Sequence, residues 1–288
     1  MHPFNYYDPK TVDEAVEILK KFGDKAKCLA GGTDVLVQTR GERYELDAIV
    51  DVKKIPELTS VEWTQDHLVI GAATPCYVLY EDPKVSEAFP GIIDSASLIG
   101  GIQIQSRASL GGNLCNASPS ADGICSLIVH EAECVIAGPS GVREIPVEDM
   151  CVGPGKNALD EGEFLVSIKV PLKNSTFSAS YERFIPRNEM DIAVAAVGSS
   201  ILLGSDGKIQ DARIALASVG PTPVFAKKAS ASLIGKDANE ESFAEAAKIA
   251  KSECSPIEDM RGTVEQRQHL VEVITNRTLS KSLERIGG

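Results

Sequence analysis

Two short segments carry the residue types from which an anion site is built. Ala30-Gly31-Gly32-Thr33-Asp34 follows an apolar run, and Ser109-Leu110-Gly111-Gly112-Asn113 lies further along the chain. Each joins a hydroxyl, a glycine pair and a polar side chain. Paired glycines permit positive φ and let a ligand approach the backbone closely. Successive amides can then converge on one anion. Thr33 and Ser109 add hydroxyl donors, and Asn113 adds a side-chain amide. Two such loops could hold the two phosphates of a dinucleotide. Neither segment matches G-x-G-x-x-G or G-x-x-x-x-G-K-[ST], so the Rossmann and P-loop templates fail. Glycine pairs also occur in plain turns, and spacing alone leaves both readings open.

Little else offers chemistry. The seven cysteines are Cys28, Cys76, Cys115, Cys125, Cys134, Cys151 and Cys254. Their odd number and wide spacing read as reduced thiols, and no pair has the C-x-x-C spacing of a zinc or redox site. Cys115, Cys125 and Cys134 stand fairly close, but a cluster normally needs four thiolates, so they read as buried structural thiols. His2, His67, His130 and His269 are scattered, and Ser118 and Ser120 lack a G-x-S-x-G context. No catalytic side chain and no metal site is expected.

The elements that must position the two segments follow from patterning. Thr11-Val12-Asp13-Glu14 is a capping box, and Val12, Ala15, Val16, Leu19 and Phe22 continue it as a helical stripe ending near Gly23. Ala26–Leu29 is a short apolar run leading into the first glycine pair. Val35–Val37 suits helix or strand, and residues 47–52 read as a strand. Residues 61–64 and 67–71 read as a hairpin. A helical stretch with Pro75 and Pro83 as caps extends to about Ile99. Residues 106–122 read as one long glycine- and serine-rich loop, a length that is usually functional. A helix over 123–130, a hairpin over 133–147 and a strand over 164–170 close the first half. A boundary falls at Pro171–Ser175. Beyond it come strands at 178–185, 192–203 and 209–218, the last two joined by a Gly204-Ser205-Asp206-Gly207 turn. Helices follow at about 223–234, 240–253 and 262–284. Strands followed by helices give an α+β, mixed α/β chain.

The 288 residues are 43% hydrophobic and 24% charged, which is ordinary globular composition. The net charge of −12 argues against nucleic acid and against an acidic membrane face. No run of 18 apolar residues reads as a membrane span, and Met1-His2-Pro3-Phe4-Asn5 is no signal peptide, so a cytoplasmic location is expected.

With these residues in hand, the sequence resembles the flavin subunit of the molybdenum hydroxylases, the family of xanthine dehydrogenase and aerobic carbon monoxide dehydrogenase. Phe4-Asn5-Tyr6, Pro9 and the Glu14-Ala15 helix match its opening. LAGGTDVL at 29–36 and SRASLGGNLCNASPSAD at 106–122 match its two flavin signatures. Arg187 with Asp191-Ile192-Ala193 resembles the start of its C-terminal domain. RGTVEQR at 261–267 resembles a segment near its end, with Gln266 where the family usually has Tyr.

The resemblance implies a two-lobed FAD-binding domain over 1–172, followed over 177–288 by a small antiparallel sheet with a helical C-terminal part. It implies non-covalent FAD, its pyrophosphate held between the two glycine loops. Leu29, Ala30, Gly31, Gly32, Thr33, Asp34 and Val35 correspond to the first loop. Ser109, Leu110, Gly111, Gly112 and Asn113 correspond to the second. Asp122 corresponds to a later contact on the adenosine or ribityl side, and Leu165 to an apolar residue beside the flavin. Arg183 stands where some relatives have Lys, and a cation there would favour the anionic reduced flavin. Ile99 falls where xanthine dehydrogenases place an aromatic, so ring stacking is lost at that position.

The resemblance further implies an electron-transfer subunit placed in a dimer of heterotrimers. A small subunit would carry 2Fe–2S clusters, a large one the molybdenum cofactor, and NAD or another acceptor would take the electrons. The flavin would lie in the cleft between the two domains. Two alternatives stand beside this: a free-standing FAD-dependent oxidase or dehydrogenase, and a non-catalytic nucleotide-binding module.

Overall fold

The computed structural model describes residues 2–287; Met1 and Gly288, the outer ends of the two expected domains, lie outside the described residues. The chain begins as a β-α-β-α-β unit. Strands β1 (Asn5–Tyr7), β2 (Ala26–Leu29) and β3 (Ala48–Asp51) form a parallel sheet in the order β1-β3-β2. Helix α1 (Val12–Phe22) makes the first crossover and α2 (Val35–Arg40) the second. Thr11 Oγ1 accepts from the Glu14 amide at 3.2 Å, as the capping box requires. Glu14 reaches back one residue further than the box predicts, accepting from the Lys10 amide at 2.7 Å. Ala15, Val16 and Leu19 bury the expected stripe against Ala48 and Val50.

The second lobe is an antiparallel sheet in the order β4-β5-β10-β6-β7, built from β4 (Val61–Trp63), β5 (His67–Gly71), β6 (Glu133–Gly138), β7 (Gly141–Pro146) and β10 (Phe164–Pro171). A two-stranded ribbon, β8 (Cys151–Gly153) and β9 (Lys156–Asn157), lies between β7 and β10 in sequence. The helical stretch before Ile99 divides into α3 (Cys76–Glu81), α4 (Pro83–Ala88) and α5 (Pro90–Ala96), each opened by a proline at or just before its first turn. The expected loop over 106–122 is not a loop throughout. After α6 (Ile102–Gln105) it contains α7 (Leu110–Asn116), and α8 (Asp122–Val129) follows. Ser109 caps α7, its Oγ accepting from the Gly112 amide at 3.0 Å.

The C-terminal part is an antiparallel sheet in the order β11-β12-β13-β14, from β11 (Phe177–Phe184), β12 (Ala195–Leu203), β13 (Ile209–Ala217) and β14 (Val224–Phe225). Helices α9 (Lys227–Leu233), α10 (Glu240–Glu253) and α11 (Val264–Gly287) cover one face, with Phe243, Val271, Ile274 and Leu279 in the core between. The other face packs on α8, whose eight residues are all buried. Gly198 of β12 lets the strand approach that helix, since a Cβ there would lie 3.0 Å from the Cys125 carbonyl oxygen. One core therefore runs from the second lobe into the C-terminal sheet. Ion pairs cross the same junction, among them Asp94 of α5 with Arg285 of α11 at 2.8 Å and Asp122 of α8 with Arg183 of β11 at 2.8 Å.

Candidate functional site

A cavity of about 500 Å³ opens between the first lobe and the second. Both glycine loops line it: Ala30 to Val35 from one side, and Ser109, Gly111, Gly112 and Asn113 from the other. Ile99 and Leu165 line it as well. Of the remaining expected site residues, Leu29 and Leu110 do not line it, and Leu110 is buried in the core. Asp122 and Arg183 stand outside the cavity wall and bind each other. All of the lining lies between Leu19 and Leu165. The cavity therefore lies between the two lobes of the first part, and not in the expected cleft between residues 1–172 and 177–288.

The loops are built to leave donors free. The Ala30 carbonyl accepts from Lys53 Nζ at 3.0 Å, and the Gly31 carbonyl accepts from Arg107 Nε at 3.2 Å. Lys53 is itself held by Asp51 at 2.7 Å. The first loop's acceptors are thus tied outward by two cations. Among the described residues the amides of Gly31, Gly32 and Thr33 and the Thr33 hydroxyl have no partner. On the facing loop, Asn113 Oδ1 accepts from the Gly123 amide at 3.0 Å, which leaves its Nδ2 as a donor. Convergent unpaired donors with cations just behind them suit a polyanion.

The glycines meet two different demands. A Cβ on Gly31 would lie 2.1 Å from the Arg107 carbonyl oxygen, so the two loops touch backbone to backbone. A Cβ on Gly111 would lie 2.4 Å from the Ala72 carbonyl oxygen. Gly32 has φ +78°, the left-handed region, and a Cβ there would meet only side chains. A Cβ on Gly112 would meet only Ser109 Oγ, at 3.1 Å, and its φ is not positive.

Asp34 is an acid on the wall of a site suited to anions. Its Oδ1 accepts from Asn116 Nδ2 at 3.2 Å, and Asn116 Oδ1 accepts from Gln38 Nε2 at 3.0 Å. Burial raises its carboxyl above the usual range, which weakens the repulsion an anion would feel. Asp122 is bound from two directions, by the Tyr181 hydroxyl at 2.8 Å and by Arg183 Nη1 at 2.8 Å. Burial pushes its carboxyl up against the pull of both. Because Gly123 holds Asn113, the Asp122–Arg183 pair is one residue removed from the second glycine loop.

Tyr44 and Asn157 line the cavity with no signal in the sequence, and Lys53 acts from behind the wall; Asn116 in the lining and Arg107 behind it belong to the 106–122 signature but are not singled out by it. Cys28 and Cys115 also line the cavity. Burial pushes the Cys28 thiol up to about 12 and the Cys115 thiol strongly upward, so both are inert. Among the described residues no group of His, Cys, Asp and Glu could hold a metal ion, and no helix is long and apolar enough to cross a membrane.

Residues 2–173 match the family model described as the FAD binding domain in molybdopterin dehydrogenase, and residues 180–282 match the CO dehydrogenase flavoprotein C-terminal domain. The chain is 31% identical to the carbon monoxide dehydrogenase medium chain of Hydrogenophaga pseudoflava, over 98% of each. It is 29% identical to the xanthine dehydrogenase FAD-binding subunit of Escherichia coli O157:H7, over 99% of this chain and 97% of that one. A solved structure of carbon monoxide dehydrogenase from Hydrogenophaga pseudoflava superposes with a TM-score of 0.93 at 32% identity, covering 99% of each chain. Quinoline 2-oxidoreductase from Pseudomonas putida 86 superposes at 0.89 with 25% identity, over 98% of each.

Proposed function

This chain belongs to the family of FAD-binding subunits of molybdopterin dehydrogenases, and from that premise we propose that it is the electron-transfer subunit of a multi-subunit molybdenum hydroxylase. Bound FAD supplies the redox chemistry: electrons arriving from 2Fe–2S clusters on a small partner subunit leave to NAD or another acceptor. Substrate is hydroxylated on a large subunit that carries the molybdenum cofactor, and the whole is a dimer of heterotrimers. The division into a cofactor-binding part, residues 1–172, and a C-terminal part, 177–288, belongs to the same reading. The two family matches fall on either side of that boundary.

The observation that carries the reading is the pair of glycine loops facing each other across one cavity, with their donors unpaired. The amides of Gly31, Gly32 and Thr33, the Thr33 hydroxyl and Asn113 Nδ2 bind the pyrophosphate. Lys53 and Arg107 keep the loop carbonyls turned away from it. Ile99 and Leu165 give the isoalloxazine an apolar wall, and Asp34 takes a hydroxyl. Asp122 and Arg183 set the charge on the C-terminal side of the second loop. The hold is non-covalent: Cys28 and Cys115, the nearest nucleophiles in the wall, are kept as neutral thiols.

Acid precipitation of the yellow chain should release the flavin into solution. In the isolated chain, dithionite should bleach the bound flavin and the complex's organic substrate should not. Adding the two partner subunits should restore bleaching by substrate. Bleaching of the isolated chain by substrate would replace this reading with the free-standing oxidase. A chain that binds no flavin would replace it with the non-catalytic module.

A further inference from the structure

Beyond the glycine loops the cavity is lined by Leu19, Ala26 and Lys27 of the first lobe and by Leu159, Glu161 and Phe164 of the second. An aromatic side chain joins this wall: Tyr44, from the loop between α2 and β3. Tyr44 is half-buried, with Lys27 Nζ 5.2 Å and the Arg43 guanidinium carbon 5.6 Å from its ring centroid. Arg43 reaches across to the β8–β9 turn, where a Cβ on Gly155 would lie 2.8 Å from Arg43 Nη2. That turn is fixed in place, because the Gly155 amide donates to the Ala117 carbonyl at the end of α7 at 2.9 Å. The loop that carries Tyr44 thus lies against the second lobe.

Resting on the FAD reading, we propose that Tyr44 is the aromatic cover of the adenine and sets the preference of this site for a dinucleotide over a mononucleotide. Two observations assign the adenine to the Tyr44 side. Ile99, also in the lining, adjoins the C-terminal part: a Cβ on Gly101, two residues on, would lie 3.4 Å from Met190 Sδ. A ring that must exchange electrons with other subunits belongs at that junction, and the ring that only anchors belongs where both lobes close over it. The wall at the Tyr44 end also includes β2, the edge strand of its sheet. Its outward main-chain groups have no ladder partner, and a purine edge needs such alternating donors and acceptors.

The test uses the full chain freed of flavin, with Tyr44→Ala and Tyr44→Phe beside the wild type. Each is titrated with FAD, ADP, FMN and riboflavin, and thermal melting checks the fold. Tyr44→Ala should weaken FAD and ADP roughly tenfold, the scale of one lost base–aromatic stack, and leave FMN and riboflavin within about twofold. Tyr44→Phe should bind all four as the wild type does. Unchanged FAD and ADP binding by Tyr44→Ala would overturn the proposal while leaving the FAD reading intact. Weaker FMN and riboflavin binding would overturn it by placing Tyr44 beside the flavin ring. A wild-type chain that binds neither FAD nor ADP would overturn both.

Discussion

Gly31→Ala is the smallest change that should part the two loops. The added Cβ would lie 2.1 Å from the Arg107 carbonyl oxygen, 2.5 Å from its carbon and 2.9 Å from the Ala108 nitrogen. All three are backbone atoms, so no rotamer change can relieve the contact. The closest approach falls about 0.9 Å short of the 3.0 Å floor for real Cβ contacts, and the segments must separate by nearly that amount. Overpacking commonly costs 1–3 kcal/mol, and a backbone neighbour places this change near the upper end, at roughly 3 kcal/mol. At about 2–4 °C per kcal/mol, melting should fall by roughly 6–12 °C. Flavin should be lost together with stability, because the Arg107–Gly31 hydrogen bond that orients the loop is broken. Gly112→Ala is the control, since its Cβ meets only Ser109 Oγ. It should melt within about 2 °C of wild type and still bind flavin more weakly, through filled space alone. The assay is a melting curve with and without FAD, together with the flavin-to-protein absorbance ratio of the purified chains. A Gly31→Ala chain with wild-type melting and full flavin would refute the reasoning.

His130 is buried between Phe89 and Phe177, with Nδ1 2.6 Å from the Ser126 carbonyl and Nε2 unpaired. Burial lowers its pKa from 6.5 to about 4. The folded state therefore refuses a proton that the unfolded state accepts below pH 6.5. Its contribution is intact above that value and is lost as pH falls toward 4, by up to roughly 3 kcal/mol. His130→Gln should melt with a flatter pH profile across that window, and a profile as steep as wild type would count against the account. Arg183→Met should cost about 3–5 kcal/mol in urea unfolding, because it leaves the Asp122 carboxylate buried without its cation. Arg183→Met with Asp122→Asn should recover part of that loss. Additive losses in the double variant would show that the pair is not coupled.

Much of the scaffold is legible in local patterning. The capping box at Thr11, the stripe through Leu19, the 61–71 hairpin and the β12–β13 turn all form where side-chain period and turn residues put them. What escapes is set by tertiary contact. Helix α7 is hidden because two of its first three residues are glycines, which lower local helix propensity. The Ser109 cap and the packing of Leu110 and Leu114 in the core make it a helix regardless. Residues 223–234 read as one helix, yet they open with the short edge strand β14, paired to β13 at Ala215 and Leu216. Arg183 and Glu182 are neighbours in the sequence but do not pair with each other. Alternation along β11 sends the two side chains to opposite faces, so Glu182 pairs with Arg277 and Arg183 with Asp122.

The glycine pairs show where a sequence formula and a structure diverge. Read as a motif, both glycines of a pair serve one purpose, letting amides converge on an anion. In the fold the first of each pair also has a second task, a close contact within the protein itself. Gly31 lies against Arg107 and Gly111 against Ala72, in both cases on backbone. These two close approaches bring the first lobe, the second glycine loop and the strand region around Ala72 to one place. The second of each pair, Gly32 or Gly112, meets only side chains and stands at the cavity. A cradle assembled from two lobes needs both functions at each loop, since free amides are useful only if the facing loop stands at a fixed distance. Adjacent residues can supply both because neighbouring Cα positions face different directions. The doubled glycine is thus the shortest stretch of chain that both docks a loop against backbone and leaves open space beside it.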